Sequence, residues 1–197
     1  IAEVLKPLGY RTAIVGKWHL GHLPPFLPTK QGFDYYYGVP YSNDMTIDPE
    51  HAVFADDVHF REGMTAEKAL TDKPTRNWVP LMRGEEVIEY PADQSTLTKR
   101  YTEEAVKFIR QSKEKSFFLY VPHTMPHLPL FVSKEFKGRT KTLFGDIMEE
   151  IDWSTGEILK TLKDEGIDDN TLVIFTTDNG TRMGSSGPLR ERKASLY

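Results

Sequence analysis

The sequence predicts an α/β fold, a mainly parallel sheet flanked by helices, on three observations. Three times along 197 residues, a helical pattern leads through a short turn into a β-rich apolar run that ends abruptly in polar residues. The apolar runs, such as Leu172-Val173-Ile174-Phe175, are hydrophobic at nearly every position, which suits strands buried on both faces of a parallel sheet. The residues just past them are polar, and open α/β sheets place their ligands beyond the carboxyl ends of their strands.

In the first unit the apolar spacing predicts a helix over Ala2–Leu8, a turn at Gly9 and a strand over Tyr10–Val15, followed by Gly16-Lys17-Trp18-His19. The second unit reads as a helix over Thr98–Lys113, spaced by Val106 and Ile109, then a strand over Phe117–Val121 and the polar Pro122-His123-Thr124. The third reads as a helix from about Phe144 to Lys163, a turn over Gly166–Asn170, a strand over Thr171–Phe175 and Thr176-Thr177-Asp178-Asn179-Gly180. From Pro24 to Gln94, abundant Pro, Gly, Asp and aromatic residues without a sustained period predict long loops with short strands. Met82-Arg83-Gly84-Glu85-Glu86-Val87 reads as a hairpin turn.

With 39% hydrophobic and 27% charged residues, the composition is that of a globular domain. A net charge of -4 leaves no basic footprint for nucleic-acid phosphates, so no nucleic-acid partner is expected. No apolar run approaches the roughly 20 residues of a membrane span, and none opens the chain as a secretion signal would. The absence of cysteine excludes disulfides, thiolate metal sites and a cysteine nucleophile within these residues, and fits an oxidising or a reducing compartment equally. The chain opens directly in the amphipathic Ile1-Ala2-Glu3-Val4-Leu5 and stops at Ser195-Leu196-Tyr197 after a polar stretch, so both ends read as cuts.

Four constellations can carry chemistry. Lys17 and His19 stand two residues apart between Gly16 and Gly21, and in extended chain they project to one side. Such a pair suits an anion, although a solvated turn has the same letters. His123 and His127 have the spacing of a helical zinc pair, but Pro122, Pro126 and Pro129 forbid the helix, leaving ligand-facing or backbone-bonded imidazoles. Asp178 and Asn179 offer hard oxygen ligands for calcium or magnesium in a sequence that is also a common turn. Two protein ligands fall short of the about 6 to 8 oxygens that calcium takes. Arg190, Arg192 and Lys193 follow a Gly/Ser-rich loop that can bring charge to an anion or simply be solvated.

In their order these segments resemble the arylsulfatase-like sulfatases of the alkaline-phosphatase-like superfamily, over nearly the whole chain. The most specific block runs from Gly9 through Gly16-Lys17-Trp18-His19-Leu20-Gly21. Gln31-Gly32-Phe33-Asp34, Pro40-Tyr41-Ser42-Asn43-Asp44, Phe117–Tyr120 with Pro126-His127, and the helix through Asp152 leading to Thr177–Gly180 support it.

The resemblance implies residue roles. Lys17 and His19 are similar to the lysine and histidine beside the family's formylglycine, and His127 to the histidine that reaches the sulfate ester. Asp178 and Asn179 resemble two calcium ligands, and Lys193 the lysine at the sulfate and leaving oxygen, though many relatives carry glycine and threonines around that lysine. It implies hydrolysis of a sulfate monoester of a small molecule or glycan, by hydrated formylglycine with calcium holding the sulfate. Periplasmic, secreted or lysosomal placement is the corresponding expectation.

The family's nucleophile lies in a Cys/Ser-x-Pro-x-Arg motif ahead of the first unit, and the chain is expected to lack it. Residues 1–197 are thus expected to be part of a catalytic domain, alkaline-phosphatase-like but incomplete, without the nucleophile region, an aspartate pair of the calcium site or a small C-terminal subdomain. Such a piece is expected to be inactive alone. A phosphoric or phosphonic ester hydrolase of the same superfamily, and a non-catalytic binding module, are the alternatives. Substrate identity and oligomeric state are not legible.

Overall fold

Strand β1 (Arg11–Val15) alternates its side chains between two apolar layers, which is what a strand needs to be buried on both faces. Ile14 packs with Trp18, Phe33, Tyr36 and Met82 on one side, while Val15 joins Tyr37, Leu81, Leu97 and Tyr101 on the other. The computed structural model describes residues 1–188 and 190–195. Leu196 and Tyr197, part of the end read as a cut, lie outside them.

Around β1 lie β2 (Tyr35–Gly38), β3 (Phe54–Phe60), β4 (Leu81–Arg83), β5 (Glu86–Tyr90) and β6 (Phe117–Tyr120), in the sheet order β3-β5-β4-β2-β1-β6. β1 runs parallel to both β2 and β6, and β3 parallel to β5. β4 pairs antiparallel with β2 and β5, so the sheet is mixed. The antiparallel β4–β5 pair turns at Gly84, whose φ of 61° is the left-handed conformation glycine supplies without strain, as the hairpin reading expects.

Four α-helices accompany the sheet among the described residues: α1 (Ala2–Leu5), α2 (Ala66–Thr71), α3 (Leu97–Ser112) and α4 (Leu143–Asp164). α1 is shorter than its pattern because Pro7 cannot donate within a helix, and Lys6–Leu8 continues as a 3₁₀ turn. α3 covers the sheet with Leu97 and Tyr101, and α4 packs on α3, where Thr102 Oγ1 donates to Ser154 Oγ at 2.6 Å. α2 was not legible as a helix. It is a short helix capped by Thr65, whose hydroxyl accepts from Lys68 N at 3.2 Å. No described helix is long and apolar enough to cross a membrane.

The third strand is a correction. Thr171–Phe175 forms no strand, and Leu172 and Ile174 are 85% and 74% exposed. Continuous apolarity signals burial, yet a strand also needs a neighbouring ladder, and β6 stays at the sheet's edge without pairing to this run.

Candidate active site

Because β1, β2 and β6 run parallel, their carboxyl ends open on one edge of the sheet. Two glycines let the three chains close together there. A Cβ on Gly16 would stand 2.1 Å from Pro122 O, and one on Gly38 only 1.7 Å from Gly16 O. Past β1, Lys17 N donates to Pro122 O at 2.7 Å, on the β6 side, and Trp18 N to Val39 O at 3.0 Å, on the β2 side. Trp18 turns into the core, where its Nε1 donates to Phe26 O at 2.9 Å.

Lys17 is half-buried and His19 exposed. His19 does not continue in extended chain as expected: its φ is 63°, in the left-handed region, and its amide donates to Pro40 O at 3.1 Å. Left-handed backbone at a residue with a Cβ costs about 1–3 kcal/mol and persists where the surroundings impose it.

His127 arrives on the loop after β6. Its Nδ1 lies 2.6 Å from Leu128 O, 3.1 Å from Asn43 Oδ1 and 3.4 Å from Ser42 Oγ. Backbone bonding, one of the readings left open for this histidine, is therefore present through Nδ1, and Nε2 has no described protein partner. Asn43 is fully buried and bonded to Gln94. Beside it, Asp44 pairs with exposed Arg76 at 3.4 Å.

Asp178 and Asn179 are exposed on the segment after residues 171–175, where Thr177 Oγ1 donates to Asn179 O at 2.8 Å. The loop bearing Lys193 folds back onto this segment, since a Cβ on Gly180 would meet Arg192 Cα at 3.0 Å and Lys193 N at 3.3 Å. Among the described residues no group of three or more His, Asp or Glu is placed to hold a metal ion. Asp178 and Asn179 have the oxygen chemistry calcium prefers, without the number of ligands it needs.

The electrostatics bring these groups into one neighbourhood. Lys17 is held below the ordinary lysine value, first by burial, with Lys193 pushing the same way and Asp178 and Asp44 pulling against it. His19 is lowered by desolvation, then by Lys17, His127 and Lys193. His127 is lowered by desolvation, against the bond to Leu128 O, and further by Lys17 and Lys193, with Asp44 opposing. Both imidazoles are thereby biased towards neutrality beside two ammonium groups. Asp44 stays low although burial opposes it, because Ser42 and Arg76 bond its carboxylate and His127 lies near.

Asp44, Asn43, Ser42 and Gln94 were missed as site residues. The first three lie within a block that the resemblance quotes, whereas Gln94 carries no local sequence signal. His123 stands apart: its Nδ1 is closed off without a partner, and burial lowers the ring to about 4. The expectation that the chain lacks a Cys/Ser-x-Pro-x-Arg motif also needs correction. Ser186-Gly187-Pro188-Leu189-Arg190 has those letters, though it follows Asp178-Asn179 instead of preceding Lys17.

The Sulfatase family matches residues 1–197. Human N-acetylgalactosamine-6-sulfatase is 39% identical over all of this chain and 37% of its own length. Human arylsulfatase G is 35% identical over 95% of this chain and 38% of its own. The chain thus spans less than two fifths of these relatives. Among solved structures, Ps i-CgsB in complex with k-i-k-neocarrahexaose superimposes with a TM-score of 0.70 at 27% identity, covering 91% of this chain and 39% of that one. The PsFucS1 sulfatase from Pseudoalteromonas sp. gives 0.65 at 28% identity, over 91% and 37%. With an alkaline-phosphatase-like arrangement of sheet and helices and a match along its whole length, the chain belongs to the Sulfatase family.

Proposed function

We propose that this chain is part of the catalytic domain of a sulfuric ester hydrolase and supplies the side of the active site that holds the sulfate and assists the leaving group. The observation that carries the reading is the gathering of Lys17, His19, His127 and Lys193 within electrostatic reach of one another, beyond the ends of parallel strands. A sulfate monoester is an anion whose leaving oxygen gains charge as the S–O bond breaks. Half-buried Lys17 offsets that charge in a partly desolvated place, where such stabilisation is largest, and exposed Lys193 adds a second cation. His127, protonated at Nε2, gives the leaving oxygen its proton, a contribution typically worth about 10²–10⁴ in rate. Desolvation, Lys17 and Lys193 work against that protonated state, and the bond to Leu128 O and the Asp44 carboxylate favour it.

Formylglycine, when present, supplies the attacking hydroxyl and calcium a Lewis acid; Asp178 and Asn179 would hold the metal together with ligands from beyond this chain. With no cysteine here, formylglycine of cysteine origin must come from outside these residues. Residues 1–197 alone are therefore expected to turn over no sulfate ester, with Ser186→Ala and Lys17→Ala chains as controls; activity that either substitution removes would overturn this. A sulfated small molecule or glycan is the substrate class, supported by N-acetylgalactosamine-6-sulfatase and by the carrageenan-type oligosaccharide bound to the structural relative. A periplasmic, secreted or lysosomal setting accompanies this reading.

The test is leaving-group dependence in the full-length protein. His127→Ala is expected to slow a poor-leaving-group alkyl or sugar sulfate far more than an activated aryl sulfate, because only the former depends heavily on protonation. Equal losses would mean that His127 binds sulfate without donating a proton.

A further inference from the structure

Behind His127 lies a chain of buried amides whose hydrogens can be accounted for one by one. Gln94 Nε2 stands 3.0 Å from Asn43 O and 2.7 Å from Asn77 O. Backbone carbonyls only accept, so the amino group of Gln94 must face them and its Oε1 must face Asn43. Asn43 Nδ2 then donates to Gln94 Oε1 at 2.9 Å and to Pro129 O at 3.0 Å. Both hydrogens of each amide are used. What remains of Asn43 is Oδ1, 3.1 Å from His127 Nδ1. An acceptor there requires the hydrogen on Nδ1, and the carbonyl of Leu128 at 2.6 Å requires the same. Flipping either amide would set oxygen against oxygen in a buried place, where an unmade bond costs about 1–3 kcal/mol.

We propose that Gln94 is a positioning residue that, through Asn43, fixes His127 as the Nδ1–H tautomer and leaves Nε2 as the one nitrogen able to meet a ligand. Gln94 touches no substrate in this account. It ties Asn43, Asn77 and the start of α3 together; without it the Asn43 amide is oriented by Pro129 O alone, and rotation that offers Nδ1 an N–H instead of an oxygen costs that one remaining bond instead of two. The proposal rests on the sulfatase reading for its consequence. A neutral His127 in this tautomer has a lone pair at Nε2 and cannot donate, so leaving-group protonation requires the imidazolium. The charged and titratable groups facing the ring are Lys17, His19, Lys193 and Asp44. In the opposite tautomer a neutral ring would already carry a donor at Nε2.

The experiment is long-range ¹H–¹⁵N correlation of the histidine rings in the full-length protein, with His127 assigned by loss of its signals in His127→Gln, at a pH where the ring is neutral. Wild type is expected to show a protonated Nδ1 and an unprotonated Nε2. In Gln94→Leu the Nε2 signal is expected to move into the protonated range, and the basic limb of the kcat profile on a sulfate ester to shift upward or vanish. Adding Asn43→Leu to Gln94→Leu is expected to restore the Nδ1–H pattern, because no amide N–H is then left to face Nδ1 and Leu128 O still accepts from it; a merely structural role for Gln94 predicts no such rescue. Should Gln94→Leu fail to fold, Gln94→Met, closer in shape, takes its place. An unchanged tautomer in the folded variant would show that Leu128 O alone suffices and would overturn the proposal. Wild type without sulfate-ester turnover but with the tautomer switch intact would sink the sulfatase reading and leave the positioning role standing.

Discussion

His123, a single side chain outside the proposed chemistry, is expected to set an acid limit on the fold. Burial lowers its ring from 6.5 to about 4. Between those values the unfolded chain binds a proton that the folded chain refuses, so stability is intact above 6.5 and declines as pH falls towards 4. At one pKa unit per 1.36 kcal/mol, His123 removes about 2.5 kcal/mol at about pH 4.5. His123→Phe is expected to flatten urea-unfolding stability between about pH 7 and pH 4.5 by that amount; an unchanged pH slope would show that the ring is hydrated. At this scale the position of Lys17, His19 and His127 just past strand ends was legible in the sequence, whereas Gln94 was not, because an amide's importance here lies in contacts with residues far away in sequence. His19 was legible as a residue but not as a conformation: its φ of 63° accompanies a hydrogen bond from its amide to Pro40 O, a partner distant in sequence.

Among the elements, the parallel trio β1, β2 and β6 depends on Gly16 and Gly38, where an added methyl would collide with backbone atoms that cannot rotate away. Gly38→Ala and Gly16→Ala are each expected to cost about 3 kcal/mol or more in denaturant unfolding, the upper range for overpacking, with Gly16 also losing its φ of 142°. A loss below about 1 kcal/mol would mean that the strand ends can splay. The run from Leu172 to Phe175 makes the opposite case. No described backbone hydrogen bond uses its amides, so they are expected to exchange with solvent freely in this chain while those of Ala13–Val15 are protected. Slow exchange there would reveal a pairing that the structure does not have. The helices of the second and third units, α3 and α4, were legible to within one residue at each end because a 3.6-residue period is written locally. The third strand was misread because pairing is not. The antiparallel return through β4 and β5 was legible only at its turn, where Gly84 stands.

For the whole molecule, the shortage of oxygen ligands around Asp178 and Asn179 leads to a prediction about metal. Calorimetry is expected to show weak calcium binding to residues 1–197 and tight binding to the full-length protein, abolished there by Asp178→Ala. Equal affinities would place the metal elsewhere. Family membership was legible from ordered motifs, since each is short but five in one order leave few alternatives. Substrate identity was not, because specificity depends on loop geometry, which local sequence patterns do not fix. The claim that joins these scales is that the gathered cations and imidazoles serve sulfate-ester hydrolysis. The most direct measurement is kcat/KM of the full-length protein on a sulfate ester and on the phosphate ester of the same alcohol, with Lys17→Ala beside the wild type. A clear preference for the sulfate ester is expected, lost with Lys17→Ala; a preference for the phosphate ester, or sulfate turnover indifferent to Lys17, would contradict a sulfatase role for these groups.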